Sequence, residues 1–162
     1  MSDLLMKMPV PYEPKKKNRW LMRFPAELGI QQWWLSSASR PSIAQAEVEI
    51  PFLNTSTWVI GRFTWETIEV VFRDAIGPST SQAIMEWVRL QSESVTGRQG
   101  YAAGYKKDVE IEMLDPTGVV VEKWQLQGTM LTNVGFGDLS MEDDGIAEVN
   151  ATLRFDRAIL LF

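Results

Sequence analysis

Short segments in which apolar and polar residues alternate recur along the chain, and this period of two constrains the fold more than any other feature. Residues 45–52 alternate between apolar side chains and Gln or Glu, and residues 107–113 and 148–161 repeat the pattern. Such alternation places the apolar side chains on one face of a β-strand. A turn signal at residues 115–118 predicts a hairpin between residues 107–114 and 119–127.

Further runs rich in β-branched and aromatic residues predict additional strands at residues 20–24, 32–37, 57–63 and 64–73. One segment follows a helical period instead. Ser79 with Gln82 fits a helix capping box, and Ile84, Trp87 and Val88 then form a stripe that can pack on a sheet. The sequence therefore predicts a mainly β fold, with two packed antiparallel sheets forming a small barrel or sandwich and one α-helix alongside.

The length of 162 residues suits one domain with a full core. We place this domain at residues 18–162. Pro9, Pro11 and Pro14 disfavour regular structure in residues 1–17, which predicts a mobile N-terminal arm. The apolar runs are shorter than the roughly 18 residues needed to span a bilayer, and the first residues do not follow the pattern of a secretory signal. We therefore expect assembly in the cytoplasm and no membrane partner.

Composition excludes several classes of function. The chain has no Cys and no His, so thiolate catalysis, Ser-His catalysis and the commonest metal ligands are excluded. Its formal net charge of -5 argues against binding along the outside of nucleic acid. The sequence predicts no catalytic residue, no cofactor and no metal, and we expect that the protein is not an enzyme.

Several local motifs, in this order and spacing, resemble a known family. They are Tyr105-Lys106-Lys107 with Glu110-Ile111-Glu112, the segment 124–128 followed by Asn133-Val134-Gly135, and the closing run 148–156. The chain is similar to the tail tube proteins of contractile-tailed bacteriophages and, more distantly, to the tube proteins of type VI secretion systems. The resemblance covers about residues 18–160.

The resemblance implies a structural subunit of the inner tail tube. Such subunits form stacked six-fold rings whose lumen conducts DNA during ejection. Its implied partners are further copies of itself, the tail sheath protein, the tape measure protein and the baseplate, with DNA passing through without specific binding. The implied location is the virion tail, assembled in the cytoplasm of the host bacterium.

Two acidic strand faces are candidates for the lumen wall of such a tube. The first is Asp108, Glu110 and Glu112, and the second is Glu47 with Glu49. Each face has a second interpretation as an ordinary solvated strand face. On the lumen interpretation, carboxylates repel phosphates, so a duplex passes without being held. We favour the first face, because its three carboxylates are consecutive.

Candidate contacts between subunits come from three other segments. Adjacent Trp33 and Trp34 must point to opposite faces of a strand, so one of them is exposed or in an interface. The basic run Lys15, Lys16 and Lys17 is interpreted either as a solvated cluster or as a contact with an acidic neighbour such as the loop at 142–144. Tyr101 and Tyr105 lie in a Gly-rich loop that is also assigned to subunit contacts. These contact residues are Trp33, Trp34, Lys15, Lys16, Lys17, Tyr101 and Tyr105.

Other functions remain open at this point. The chain fits the tube protein of a phage-tail-like particle or of a secretion system, and also a tube-initiating baseplate homologue. A different class is a monomeric β-barrel that binds a small apolar ligand inside.

Overall fold

One long strand, β7, organises the molecule by pairing with different partners along its two halves. The computed structural model describes residues 11–162. The strands in this part are β1 (Trp20–Arg23), β2 (Leu35–Ala38), β3 (Ile43–Phe52), β4 (Thr55–Trp65), β5 (Ile68–Arg73), β6 (Lys107–Leu114), β7 (Val120–Gly135), β8 (Glu148–Arg154) and β9 (Arg157–Leu160). The helices are α1 (Thr80–Gln91) and the short α2 (Ala102–Tyr105).

The first half of β7 pairs with β6 and β9, and β6 also pairs with β1. We call this four-stranded unit sheet A. The second half of β7 pairs with β8, followed by β5 and β2, and we call this unit sheet B. All of these pairings are antiparallel. The two units form one strand path that changes direction near Gly128, which has a φ of 68°.

The inward side chains of both sheets meet in one hydrophobic core. Val109, Ile111 and Leu126 come from sheet A, and Phe72 and Leu153 come from sheet B. Each is at most 3% exposed. The two sheets therefore form a sandwich. This confirms the predicted mainly β architecture, but the sheets do not close into a barrel.

Helix α1 covers one side of the core, as the sequence predicts. The Ser79 side chain accepts a hydrogen bond from the backbone N–H of Gln82, which is the predicted N-terminal cap. Ile84 and Trp87 are buried, and the Trp87 ring packs edge-on against Phe24 with centroids 6.1 Å apart.

Residues 148–161, predicted as one strand, form two. The strand is interrupted around Asp156, between β8 and β9. β8 pairs with the second half of β7, and β9 pairs with the first half. One strand is insufficient because the two halves of β7 belong to different sheets. The prediction of an N-terminal arm at residues 1–17 falls partly outside the described residues, and residues 11–17 are exposed.

Candidate assembly surfaces

A long hairpin of β3 and β4 lies apart from the sandwich. The two strands pair with each other from Ile43↔Trp65 to Phe52↔Thr55, and within residues 11–162 they form a separate two-stranded sheet. No residue of either strand is buried. Large apolar side chains are nevertheless frequent on the hairpin, and the exposed ones are Ile43, Val48, Ile50, Phe52, Leu53, Trp58, Val59, Ile60 and Phe63. An isolated hairpin is marginally stable in water, and an apolar surface of this kind is typical of an interface.

The two faces of the hairpin differ in charge. On one face Val48 lies opposite Val59 and Ile50 opposite Thr57. On the other face Glu47 lies opposite Ile60 and Glu49 opposite Trp58. The second face therefore presents two carboxylates beside exposed aromatic and aliphatic side chains, and we call it the acidic-aromatic face. It contains the second predicted acidic pair, which is exposed to solvent in the single chain.

The outer face of sheet A contains the first predicted acidic set. Asp108 is exposed, and its Oδ1 accepts a hydrogen bond from Gly128 N at 3.3 Å. The Glu110 side chain is 32% exposed, and its Oε2 lies 3.3 Å from Nζ of Lys123 on β7. These two carboxylates are available at the surface, as expected for a strand face.

Glu112 differs from that expectation, because it is only 2% exposed. Its Oε1 lies 3.3 Å from Nε of Arg23 and 3.6 Å from Nζ of Lys123. Its buried Oε2 has no hydrogen-bond partner among the described residues. Strand alternation correctly places Glu112 on the outer face, but long cationic side chains from β1 and β7 cover it. The face as a whole thus combines carboxylates with cations, where the sequence predicted carboxylates alone.

Trp33 and Trp34 lie in a 3₁₀ turn (Gln32–Trp34), so the predicted strand at 32–37 is wrong over its first half. β2 begins only at Leu35. Trp33 is 61% exposed whereas Trp34 is fully buried, and their rings meet edge-on with centroids 5.8 Å apart. Trp33 is therefore the member of the pair that is available for a contact.

The basic run contacts a buried carboxylate that sequence reasoning did not single out. Lys15 Nζ donates to Oε1 of Glu122 at 2.7 Å, and Arg40 Nη1 donates to Oε2 at 3.2 Å. Trp124 Nε1 donates to the same Oε2 at 3.1 Å. Burial alone would raise the pKa of Glu122, but the hydrogen bonds from Lys15, Arg40 and Trp124 outweigh it and lower the pKa. Trp124 is two residues from Glu122 on the same face of β7, but Lys15 and Arg40 are distant in the sequence, so no local motif indicates this cluster.

Beside this cluster lies a cavity of about 340 Å³. Its lining combines apolar side chains with two cations, and the lining residues are Lys17, Trp20, Ala38, Ser39, Arg40, Ile111 and Met113. Lys16 and Lys17 are exposed. The cavity thus has an apolar floor and a basic rim, and we call it the basic cavity.

The two predicted tyrosine contacts have different surroundings. Tyr101 is 91% exposed at the start of α2. Tyr105 is partly buried, and its backbone carbonyl accepts a hydrogen bond from Trp87 Nε1 at 2.9 Å. The backbone of Tyr105 therefore supports the core, while the Tyr101 side chain remains available to a neighbour.

The sheets differ at their edges. Within residues 11–162, β1 pairs only with β6 and β9 pairs only with β7, so sheet A has two open edges. Sheet B is blocked at one of its two edges, because the Gln91 side chain of α1 donates to Leu131 O at 2.7 Å and accepts from Leu131 N at 2.9 Å. Its other edge is β2, which among residues 11–162 pairs only with β5. An open strand edge is a template for pairing with another chain.

Two further features of the described residues are the length of the helices and the arrangement of the acidic side chains. Among residues 11–162 no helix is long and apolar enough to cross a membrane. No group of three or more acidic side chains in that range is arranged to hold a metal ion.

Comparison with known proteins identifies the fold. No protein-family model matches the sequence, and no curated protein matches it. A structure of the anti-feeding prophage cap, the AFP tube terminating cap, is 20% identical with a TM-score of 0.73, over 99% of this chain and 98% of that chain. The sheath-tube complex of an extracellular contractile injection system, PVC, gives 19% identity and a TM-score of 0.72 over 93% of both chains. Hcp1 from Flavobacterium johnsoniae gives 8% identity and a TM-score of 0.55, over 88% of this chain and 94% of that chain.

These likenesses confirm the resemblance at the level of the fold. The chain shares its architecture, over nearly its full length, with tube and tube-terminating proteins of contractile injection systems and with Hcp.

Proposed function

We propose that the chain is a non-enzymatic, self-assembling subunit of the tube of a contractile injection apparatus, namely the inner tail tube of a contractile phage tail. Its copies form six-fold rings that stack into a hollow tube. The observation that carries this proposal is the β3–β4 hairpin, whose apolar side chains are exposed on both faces. Further copies of the chain would cover those faces, and assembly would stabilise a hairpin that is marginal by itself.

The open edges of sheet A support a ring. When β1 of one copy lies beside β9 of the next, the sheets of successive copies join into one wall without free edges. Sheet B covers the inward face of sheet A, so in the proposed ring the outer face of sheet A is free to line the lumen. On this arrangement Asp108 and Glu110 face the lumen together with three cations of the same face, which are Arg23, Lys123 and the exposed Arg157.

The lumen then carries nearly balanced charge. Arg23 and Lys123 each lie within 4 Å of a carboxylate of the same face. The third cation, Arg157, donates to Oε1 of Gln127 on the same face. Cations that are paired or hydrogen-bonded in this way attract phosphates less than free ones, and a wall of nearly balanced charge has only a weak field at the axis. This is compatible with the passage of DNA during ejection without specific binding.

Its proposed neighbours outside the ring are the tail sheath, the baseplate and, within the lumen, the tape measure protein. The support is the fold shared with chains from sheath-tube and baseplate structures. The proposed location is the tail of the virion, after assembly in the host cytoplasm. A tail-like particle without a genome has the same architecture, and its lumen would carry another cargo.

A terminal ring is the second candidate function, because one neighbour is a tube terminating cap and another comes from a baseplate. A terminal subunit stops after one ring, whereas a tube subunit continues to stack. A monomeric barrel that encloses an apolar ligand is disfavoured, because the sheets do not close.

The hairpin allows a direct test of this proposal. Ser42 O accepts a hydrogen bond from Glu66 N at 3.0 Å, so the two ends of the hairpin are adjacent. Trp65 packs on the core beside Phe155, and its carbonyl accepts a hydrogen bond from Arg154, so the end of β4 is retained. Replacing residues 45–63, which lie between the paired Ala44 and Thr64, by Asn-Gly, a favoured two-residue turn, should leave the circular dichroism and melting of the sandwich largely unchanged. The variant should remain monomeric in sedimentation velocity while the full chain assembles. Equal assembly of both proteins would contradict the proposal.

A further inference from the structure

The basic cavity has the chemistry of a receptor for an acidic and aromatic segment. Trp20, Ile111 and Met113 supply an apolar floor, and Lys17 and Arg40 stand at the rim. Glu122 accepts a hydrogen bond from Arg40 and so orients it at the rim. Lys15 also donates to Glu122 and offsets its negative charge. The surroundings of the cavity are positive, because the cations of this region outnumber its carboxylates, Glu13 and Glu122; the cations are Lys15, Lys16, Lys17, Arg19 and Arg40.

The acidic-aromatic face of the hairpin is complementary to this cavity. Glu49 lies directly across from Trp58, and Glu47 across from Ile60. Trp58 is 54% exposed and Ile60 67% exposed. Cross-strand neighbours have Cβ atoms about 5 Å apart, so each apolar side chain has a carboxylate beside it. A rigid strand pair therefore presents apolar groups for the floor and carboxylates for the rim.

The hairpin of the same chain cannot occupy the cavity. Arg40, at the rim, precedes the first residue of β3 by three positions. Glu49 lies six residues further along that strand, at about 20 Å for an extended strand. Because the hairpin begins beside the cavity and is straight, its own acidic-aromatic face lies far from the cavity. The occupant must therefore come from a second copy.

We propose that the acidic-aromatic face of one copy docks into the basic cavity of the next copy, in a head-to-tail contact that orders neighbouring subunits. This inference rests on the proposed self-assembly and adds the pairing of surfaces. Complementary charge makes such a contact specific, and like charges in the same place oppose it strongly. A head-to-tail contact can be repeated around a ring, because each copy carries both surfaces.

The acidic loop at 142–144 is the competing occupant from a second copy. Glu142 and Asp144 are exposed there, beside the exposed Met141. The hairpin is the better match because its carboxylates and apolar groups are fixed in register by strand pairing. The loop supplies a control with the same change of charge.

A reciprocal charge swap tests the pairing. Glu47→Lys with Glu49→Lys makes the hairpin basic, and Lys16→Glu with Lys17→Glu makes the cavity rim acidic. Each double variant by itself should raise the protein concentration needed for assembly about tenfold or more, measured by sedimentation and negative-stain microscopy. A 1:1 mixture of the two variants should restore assembly, because each hairpin then meets a cavity of opposite charge. The control, Glu142→Lys with Asp144→Lys, should assemble as the wild type does.

Other results would overturn the pairing. They are normal assembly of the hairpin variant, failure of the mixture to recover although both variants remain folded by circular dichroism, or loss of assembly only in the loop control. Loss of binding to a DNA duplex in the cavity variant, with assembly unchanged, would assign the cavity to nucleic acid. If the wild type itself does not assemble, the proposed function fails as well, so the two failures are distinguishable.

Discussion

Gly128 and the Asp156 carboxylate are in contact at the corner where the chain passes between the two sheets. A Cβ built on Gly128 would lie 2.2 Å from Oδ2 of Asp156. Asp156 N donates to Gln127 O at 2.9 Å, and Lys106 Nζ lies 3.0 and 3.2 Å from the two Asp156 carboxylate oxygens. β7 bends at Gly128, and the connection between β8 and β9 lies beside this bend. The corner therefore favours glycine at position 128, because the backbone there has a positive φ and a side chain would displace the Asp156 carboxylate.

Gly128→Ala should destabilise the fold by about 1–2 kcal/mol, since it adds the displacement of the Asp156 side chain from Lys106 to the strain of a positive φ. Gly118→Ala is the matched control, because Gly118 also has a positive φ but has open space around it. Urea denaturation measures the free energy of unfolding of both variants, and Gly128→Ala should lower it more than Gly118→Ala does. Adding Asp156→Ala should recover part of the loss. Equal costs at both glycines would contradict the steric explanation.

Glu122→Gln should reduce stability at neutral pH by about 1–2 kcal/mol, because it removes a charged acceptor of three hydrogen bonds. The pKa of Glu122 is lowered by folding from its ordinary value of 4.5. The stabilisation is therefore fully present above that value and is lost as the pH falls through the lower pKa of the folded state. The difference between wild type and variant should narrow below pH 4.5 in urea titrations. Exposed Glu142→Gln serves as the control, and a difference independent of pH would contradict this assignment.

Gln91→Ala should lower the free energy of unfolding by about 1–3 kcal/mol, because it removes the two hydrogen bonds to the edge of β7 at Leu131. Gln91→Glu keeps the shape but loses the donor to Leu131 O, and should also be destabilising. Thermal melting at neutral pH measures both variants. A stable Gln91→Glu protein would show that the donated hydrogen bond is not needed.

Because the sequence contains no Cys, a single introduced Cys can be labelled to test which face of sheet A lines the lumen. In assembled tubes, Glu110→Cys should react with a small maleimide that enters the channel but be protected from a maleimide coupled to a large protein. Asn150→Cys lies on the outer face of sheet B and should react with both unless a neighbour covers it. As a control, the unassembled monomers of both variants should react with both reagents. Full reaction of Glu110→Cys with the large reagent in tubes would place this face outside.

Much of the sandwich could be predicted, because alternation along β6 and β8 and the capping of α1 are local signals. The break at Asp156 could not, because it depends on β7 having two partners. The hairpin shows a different limit. Alternation at residues 45–52 predicts one buried face, yet both faces are exposed, since nothing in the single chain covers them.

For the acidic residues of sheet A, alternation likewise predicts the strand face but not the surroundings of each side chain. Asp108 and Glu110 lie on the expected outer face, but the burial of Glu112 depends on Arg23, which is 89 positions away in the sequence. The clustering of Lys15 and Arg40 at Glu122 likewise requires three segments to meet. Periodicity shows which face a side chain takes and does not show what covers it.

The central claim is that this chain builds a hollow tube from copies of itself. Electron cryomicroscopy of the purified 162-residue chain at high concentration, with and without a tail baseplate as a nucleus, tests it most directly. We expect stacked six-fold rings in which the β3–β4 hairpin contacts a neighbouring subunit and Glu110 faces the channel. Particles that remain monomeric under both conditions, by microscopy and by mass in solution, would contradict the claim.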